Sequence, residues 1–320
     1  MMVMGMLTAN VLGLPFLLGT EERWFMLITI QGIPVLVMCA FLPFCPDSPR
    51  RLFLTVGNKE GAVRALVWLR GTTDVHVEID QMNREQTMMK EDSGKDDHKP
   101  VTLMGIFRDR YLRNIFWMCA VPMFAKQFSG YMCIFYYSTS IFNGVGLDHL
   151  YSGIATCGVW ATYLVFSLVS MALVDRAGRK TLLLISHTGM IIGMSLFTVF
   201  MVLSGRYQLD WAKFGCAGSL FFYIASYAIA SGSIPFFLPN EMFPQNARTA
   251  AQTWNGVLCS GLGLITSMLF PIVVFLLEEY TFLIFVASMA LATVYLIWKL
   301  PETKGKSIDE IQTLLRRRLR

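Results

Sequence analysis

The sequence predicts an all-α integral membrane protein, and three observations carry that reading. The chain is poor in charge, it contains apolar runs of membrane-spanning length, and its basic residues crowd onto one side of those runs. Of 320 residues, 54% are hydrophobic and 15% are charged, with a mean hydropathy of +0.51. Soluble chains carry about 25% charged residues, so a water-soluble fold of this size would lack the polar surface to cover itself.

A helix needs about 20 apolar residues to cross hydrocarbon roughly 30 Å thick. Eight stretches qualify: 1–19, 24–45, 114–142, 151–174, 181–204, 214–238, 254–277 and 281–299. The first lacks the basic flank and small-residue cleavage site of a signal peptide and leads straight into the second. Between the second and third lies one long polar segment, 46–113. Within it, Lys59–Arg70 reads as an amphipathic helix with Ala62, Val63, Leu66 and Val67 on one face and Gly71 as its stop. Asp74–Lys90 reads as a second helix, and Glu91–Pro100 as a polar link.

Orientation follows from Lys and Arg. With 46–113 in the cytoplasm, the inner side collects Arg176, Arg179, Lys180, Arg248 and the tail from Lys299 to Arg320. The outer loops hold only Arg23, Arg206 and Lys213, and Lys126 stands inside a span. The net charge of +5 is therefore topological and does not call for a nucleic-acid partner. The seven cysteines are scattered, mostly in apolar runs, without a CxxC pair or a neighbouring His at metal spacing. No metal or other cofactor is expected, and no nucleophile–base pair or phosphate loop marks an enzyme.

The chain also echoes itself. Span two ends in Leu42-Pro43-Phe44-Cys45-Pro46-Asp47-Ser48-Pro49-Arg50, and span eight in Leu300-Pro301-Glu302-Thr303-Lys304-Gly305. After Pro301, Ser307 and Glu310 form a capping box ahead of Ile308, Ile311, Leu314 and Leu315. Parallel six-helix repeats are a known transporter plan. If these are the sixth helices of two repeats, four spans are expected before residue 1.

At these residues the chain resembles the sugar porter family of the major facilitator superfamily, nearest its facilitated glucose transporter branch. Pro46-Asp47-Ser48-Pro49-Arg50 resembles the PESPR motif, and Gly71 to Val75 sits where that branch has a similar string. Phe135 to Phe142 matches helix seven, and Asp175-Arg176-Ala177-Gly178-Arg179-Lys180 the charged motif after helix eight. Glu241 to Arg248 resembles the E-x-F-x-x-x-x-R motif after helix ten, and Pro301 to Gly305 is PETKG. Six motifs in order and at the right spacing are specific where one would be weak. The resemblance implies a major-facilitator-type bundle of which this chain holds helices five to twelve. Its parts would be 1–45 (the last two helices of the first half), a cytoplasmic linker 46–113, a six-helix half 114–300, and a cytoplasmic tail 301–320.

The resemblance further implies a transporter of a hexose or related small polar solute, in a bilayer that is expected to be the plasma membrane. Facilitated diffusion by alternating access would move the solute. No Asp or Glu stands mid-span, which favours diffusion over proton coupling. Arg50, Asp175, Arg176, Arg179, Glu241, Arg248 and Glu302 fall at cytoplasmic helix ends. They read either as solvated interface charges or as a latch holding one conformation.

The family holds its sugar near mid-membrane on helices seven, eight, ten and eleven. Carried over, those positions fall at Lys126, Gln127, Tyr131, Phe135, Tyr136, Tyr137, Tyr163 and Phe236. Gln127 and the aromatics persist, but most of the family's amides do not: a Gln is Lys126, an Asn is Met132, another is Tyr163, and a Trp is Phe236. On helix eleven the Asn-Trp pair falls at Cys259 and Ser260, with Trp254 and Asn255 nearby. Lys126 reads two ways: a cavity charge that attracts an anionic substrate, or a lysine that snorkels or pairs with a backbone carbonyl. Other readings stay open as well: a carrier of an anionic non-sugar, a non-transporting sensor or regulator, or an inactive truncated product.

Overall fold

The computed structural model describes residues 2–20, 22–83, 101–207, 209–305, 310–311 and 313–315. The expected link 91–100, the latter part of the expected helix 74–90 and Ser307 of the capping box lie outside them. All regular structure among the described residues is helical. The chain divides into two units, Glu21–Pro100 and Met1–Thr20 with Val101–Arg320.

In the first unit the helix Trp24–Phe41 is apolar on every face and buries no residue. A turn over Leu42–Phe44 ends it at the Pro-rich string. The amphipathic helix forms as its sequence predicts, over Lys59–Arg70. The Asn58 side chain accepts the N–H of Gly61 at 2.9 Å, and Gly71 closes the helix in the left-handed conformation (φ 67°). Ala62, Ala65 and Leu66 are its buried residues. Residues 76–83 are helical, and Arg70 pairs with Glu78 at 3.3 Å.

The second unit opens with Met2–Leu12 (α1), an 11-residue helix. The first expected span is thus shorter than 1–19, because the chain turns over Gly13–Gly19, where Gly19 lies against the Gly13 carbonyl. The bundle follows as Arg110–Gln127 (α2), Tyr131–Gly144 (α3), His149–Ala177 (α4), Arg179–Tyr207 (α5), Asp210–Ile229 (α6), Ile234–Met242 (α7), Gln245–Leu277 (α8) and Thr281–Lys299 (α9). Among the described residues, six helical runs of the whole chain are long and apolar enough to cross a membrane. Two expected spans are interrupted. The run 114–142 breaks between α2 and α3, and 214–238 breaks between α6 and α7.

Helices α5 and α6 pack closest, and the reason is in their small residues. A Cβ on Gly193 would stand 3.0 Å from the Tyr223 backbone, and one on Gly189 would stand 2.4 Å from Ser226 Oγ. Small residues one turn apart let backbones approach where no hydrophobic effect drives helices together. Apolar side chains divide into two buried groups. One gathers Ile106, Ile115, Leu183, Leu238, Phe243, Leu296 and Leu315 toward the 101–108 and 310–315 end. The other gathers Ile134, Phe142, Phe197, Leu220, Tyr227 and Phe282 toward the opposite end. Along α2 the first group stops at Ala120 and the second begins at Ala125. The outer face carries Phe214, Phe275, Leu291 and Trp298, all at least 75% exposed, as lipid contact requires.

Candidate functional site

Between those two groups, two helices break at facing positions. The first break is Phe128-Ser129-Gly130. Gly130 takes φ 82°, and a Cβ there would lie 2.5 Å from Phe285 Cδ2, so only glycine fits. The carbonyls freed by the break are recovered by side chains. Ser129 Oγ donates to Lys126 O at 2.7 Å, Tyr223 OH to Ser129 O at 2.8 Å, and Ser288 Oγ to Phe128 O at 2.6 Å. Away from water a bare carbonyl is costly, so irregular backbone survives only with such partners.

The second break runs Ala230-Ser231-Gly232-Ser233. Ser170 Oγ donates to Ile229 O at 2.6 Å, Ser186 Oγ pairs with Ser231 Oγ at 2.8 Å, and Asn255 Nδ2 donates to Pro235 O at 3.0 Å. Gly232 O receives Lys126 Nζ at 3.0 Å. The ammonium also stands 3.9 Å above the Phe236 ring centroid and 5.4 Å from that of Tyr131. Lys126 therefore spans from the first break to the second, the carbonyl pairing weighed from the sequence.

Gln127 is fully buried; its Nε2 donates to the Cys259 carbonyl, and its Oε1 has no hydrogen-bond partner. Cys259 thus serves through its backbone. Aromatic rings continue outward from Gln127. Tyr131 stacks on Tyr227 at 4.8 Å and Phe135 on Trp160 at 4.2 Å, while Tyr163 lies 5.3 Å from Phe135 and 5.7 Å from Tyr227. Trp160 Nε1 is buried without an acceptor. A Cβ added at Gly232 would meet the Tyr163 hydroxyl at 3.1 Å. Amides, hydroxyls and aromatic rings are the groups that polar-solute sites use, and here they pack against one another in the bundle.

Six of the eight expected binding residues come together: Lys126, Gln127, Tyr131, Phe135, Tyr163 and Phe236. Tyr136 does not join them, being 65% exposed, and Tyr137 turns to Phe270, 5.2 Å away. Trp254 lies elsewhere, donating to Leu103 O at 2.9 Å and packing on Phe107. Sequence reasoning missed Trp160 and Tyr227. Helical spacing was the available signal, since Trp160 precedes Tyr163 by three residues and Tyr227 follows Tyr223 by four.

The charged helix ends form a second cluster. Glu302 accepts Arg179 N–H at 2.8 Å and Thr181 N–H at 3.4 Å, capping the first turn of α5. Arg179 Nε meets Glu241 Oε1 at 3.0 Å, and Thr303 Oγ1 donates to Glu241 Oε2 at 2.6 Å. Lys304 Nζ donates to the Arg176 carbonyl, so Arg176 takes part through its backbone. The Asp175 side chain lies outside the described residues. Arg248 Nε is buried without a hydrogen-bond partner, and Arg50 belongs to the other unit. Among the described residues, no three His, Cys, Asp or Glu side chains group as metal ligands.

The family model described as "Sugar (and other) transporter" matches residues 1–315. This chain belongs to that transporter family. It is 36% identical over 310 residues to the solute carrier family 2 facilitated glucose transporter member 3 of Canis lupus familiaris, covering 97% of this chain and 60% of that protein. To the human member 3 it is 34% identical with the same coverage, and to member 2 of Mus musculus 35% identical over 324 residues, 99% of this chain and 59% of that one. The chain spans about 60% of the length of these curated relatives. Among solved structures, the inward open xylose transporter XylE from E. coli superposes with a TM-score of 0.72 at 20% identity, over 98% of this chain and 63% of that one. XylE bound to 6-bromo-6-deoxy-D-glucose, described as a major facilitator superfamily proton:xylose symporter, gives 0.65 over 92% and 59%. The sugar transporter family is one of multi-pass membrane proteins, and the bundle has the major facilitator fold.

Proposed function

We propose that the protein carries a sugar, a hexose or a close relative, across the membrane by alternating access around the paired helix breaks. The observation that supports this most is the meeting of the two breaks. Gln127 and Lys126 on one, Gly232 and Phe236 on the other, and the Tyr131, Phe135, Trp160, Tyr163 and Tyr227 rings between them surround one place in the bundle. Discontinuous helices near mid-membrane are where transporters of this architecture hold their solutes. Residues 1–45 would then close the first half, 114–300 would form the second, and the basic segments 46–113 and 301–320 would face the cytoplasm of a plasma-membrane protein. The Glu302–Arg179–Glu241 cluster would brace the cytoplasmic end of the second half in the conformation seen here.

Facilitated diffusion suits the chain because no carboxylate stands mid-helix between residues 101 and 300. The test is uptake of labelled sugars, neutral and acidic, by the protein, expressed in cells that lack their own sugar carriers. Saturable uptake, competed by unlabelled sugar and indifferent to collapse of the proton gradient, is expected. Absence of any sugar-competed uptake by surface-localised protein overturns the proposal.

A further inference from the structure

We propose that the solute of this site carries a carboxylate, as a hexuronate does, and that Lys126 is its counter-charge. The inference rests on the transporter reading of the site and narrows its substrate class. Lys126 is 4% exposed, yet among the described residues it forms no ion pair. Its hydrogen bond to Gly232 O uses one N–H of three. The rings of Phe236 and Tyr131 face the ammonium, but a ring quadrupole neutralises no charge. A cation kept inside a membrane helix faces a partner or a solute pathway, and holding Gly232 O alone needs only a neutral donor of the same length.

The groups around Lys126 point the same way. Trp160 Nε1 is a buried donor without an acceptor, and Gln127 Oε1 is a buried acceptor without a donor. The Tyr163 hydroxyl stands at Gly232, on the residue that Lys126 binds. Around Lys126 the described residues thus hold an indole N–H and an amide oxygen without partners and the hydroxyls of Tyr131, Tyr163 and Tyr227, while no carboxylate pairs with the ammonium. A neutral hexose can meet those polar groups through its hydroxyls but leaves the ammonium without a counter-charge. A pyranose bearing one carboxylate answers both: the carboxylate at Lys126, a ring hydroxyl donating to Gln127, and C–H faces on Tyr131, Phe135 and Trp160.

The experiment measures uptake of labelled glucuronate and labelled glucose in carrier-deficient cells expressing the protein. Competition by unlabelled glucuronate, its neutral methyl ester and benzoate is measured alongside. Saturable glucuronate uptake is expected, with the ester at least tenfold weaker as a competitor and benzoate ineffective. Lys126→Gln should lower glucuronate uptake at least tenfold per surface molecule, and Lys126→Arg should retain most of it. The ester comparison needs no variant and stands even where Lys126→Gln fails to reach the surface. Glucose uptake that glucuronate does not inhibit, or an ester that competes as well as the acid, overturns the sugar-acid inference and leaves the sugar-transporter reading in place. Competition by benzoate equal to glucuronate overturns it by removing the sugar. Uptake of neither solute overturns the transporter reading itself.

Discussion

Glu302 caps the helix that begins at Arg179, 123 residues earlier in the chain. Its carboxylate accepts the Arg179 N–H at 2.8 Å and reaches the Thr181 N–H at 3.4 Å. It sits where the helix dipole is positive and takes two of the first-turn N–H groups that have no partner within the helix. A residue three positions beyond α9 thereby fixes the start of α5, and the pair ties the two helices at their cytoplasmic ends. Removing a capping oxygen costs about 1 kcal/mol. Glu302→Ala should lower the midpoint of thermal unfolding in detergent, with Glu302→Gln intermediate because its Oε1 still accepts. A variant melting at the wild-type midpoint would show that the cap carries no stability.

Gly178, which precedes Arg179, should be less tolerant than Glu302. It holds φ 91° and ψ 153°, and a Cβ there would stand 2.8 Å from the Glu302 carboxyl carbon. Backbone of this kind costs a non-glycine residue about 1–3 kcal/mol, before the clash displaces the cap. Gly178→Ala is expected to destabilise more than Glu302→Gln, and melting of the two variants side by side decides it.

Thr303 tests whether the cluster acts as one unit. Its hydroxyl gives Glu241 a 2.6 Å hydrogen bond, while Arg179 pairs with the other carboxylate oxygen. Hydrogen bonds to charged groups contribute about 1.5–3 kcal/mol. Thr303→Val keeps the shape and should lose roughly that much. Combined with Arg179→Lys, the losses should fall short of additive, because both act through Glu241. Strict additivity in the double-mutant cycle would mean that two separate contacts happen to share a residue.

Gly130→Ala is expected to be the most damaging single methyl addition in the bundle. The left-handed φ and the 2.5 Å approach to Phe285 Cδ2 leave no room for it. Phe285→Leu should restore part of the loss by relieving the clash, without curing the backbone strain. Monodispersity after detergent extraction reports the outcome, and no rescue by the second substitution would place the whole defect in the backbone.

Topology within the larger unit can be checked directly. In a cysteine-free background, a single cysteine at Lys304 should resist an impermeant thiol reagent applied outside cells. One at Tyr207, 67% exposed at the far end of α5, should be labelled. The reverse pattern would invert the orientation drawn from the Lys and Arg distribution.

The sequence by itself determined that the chain is helical, membrane-embedded and a sugar transporter family member. Those conclusions rest on quantities that need no neighbour: apolar run length, charge placement and the spacing of short motifs at helix ends. The amphipathic helix Lys59–Arg70 was legible to the residue because Asn58 and Gly71 act on the backbone beside them. Only the tertiary structure decided where the long runs break and which side chains meet. Nothing in 114–142 shows that Phe285 fills the space beside Gly130, and periodicity cannot tell that Tyr131 and Phe135 face Tyr227 and Trp160. Tyr136 and Tyr137 share their helix and chemistry but point elsewhere, because each residue advances about 100° around the axis. For Lys126 the sequence posed two roles, and packing alone revealed its bond to Gly232 O. Which partners a buried polar group finds is set by neighbouring helices, whose register and rotation no single span encodes.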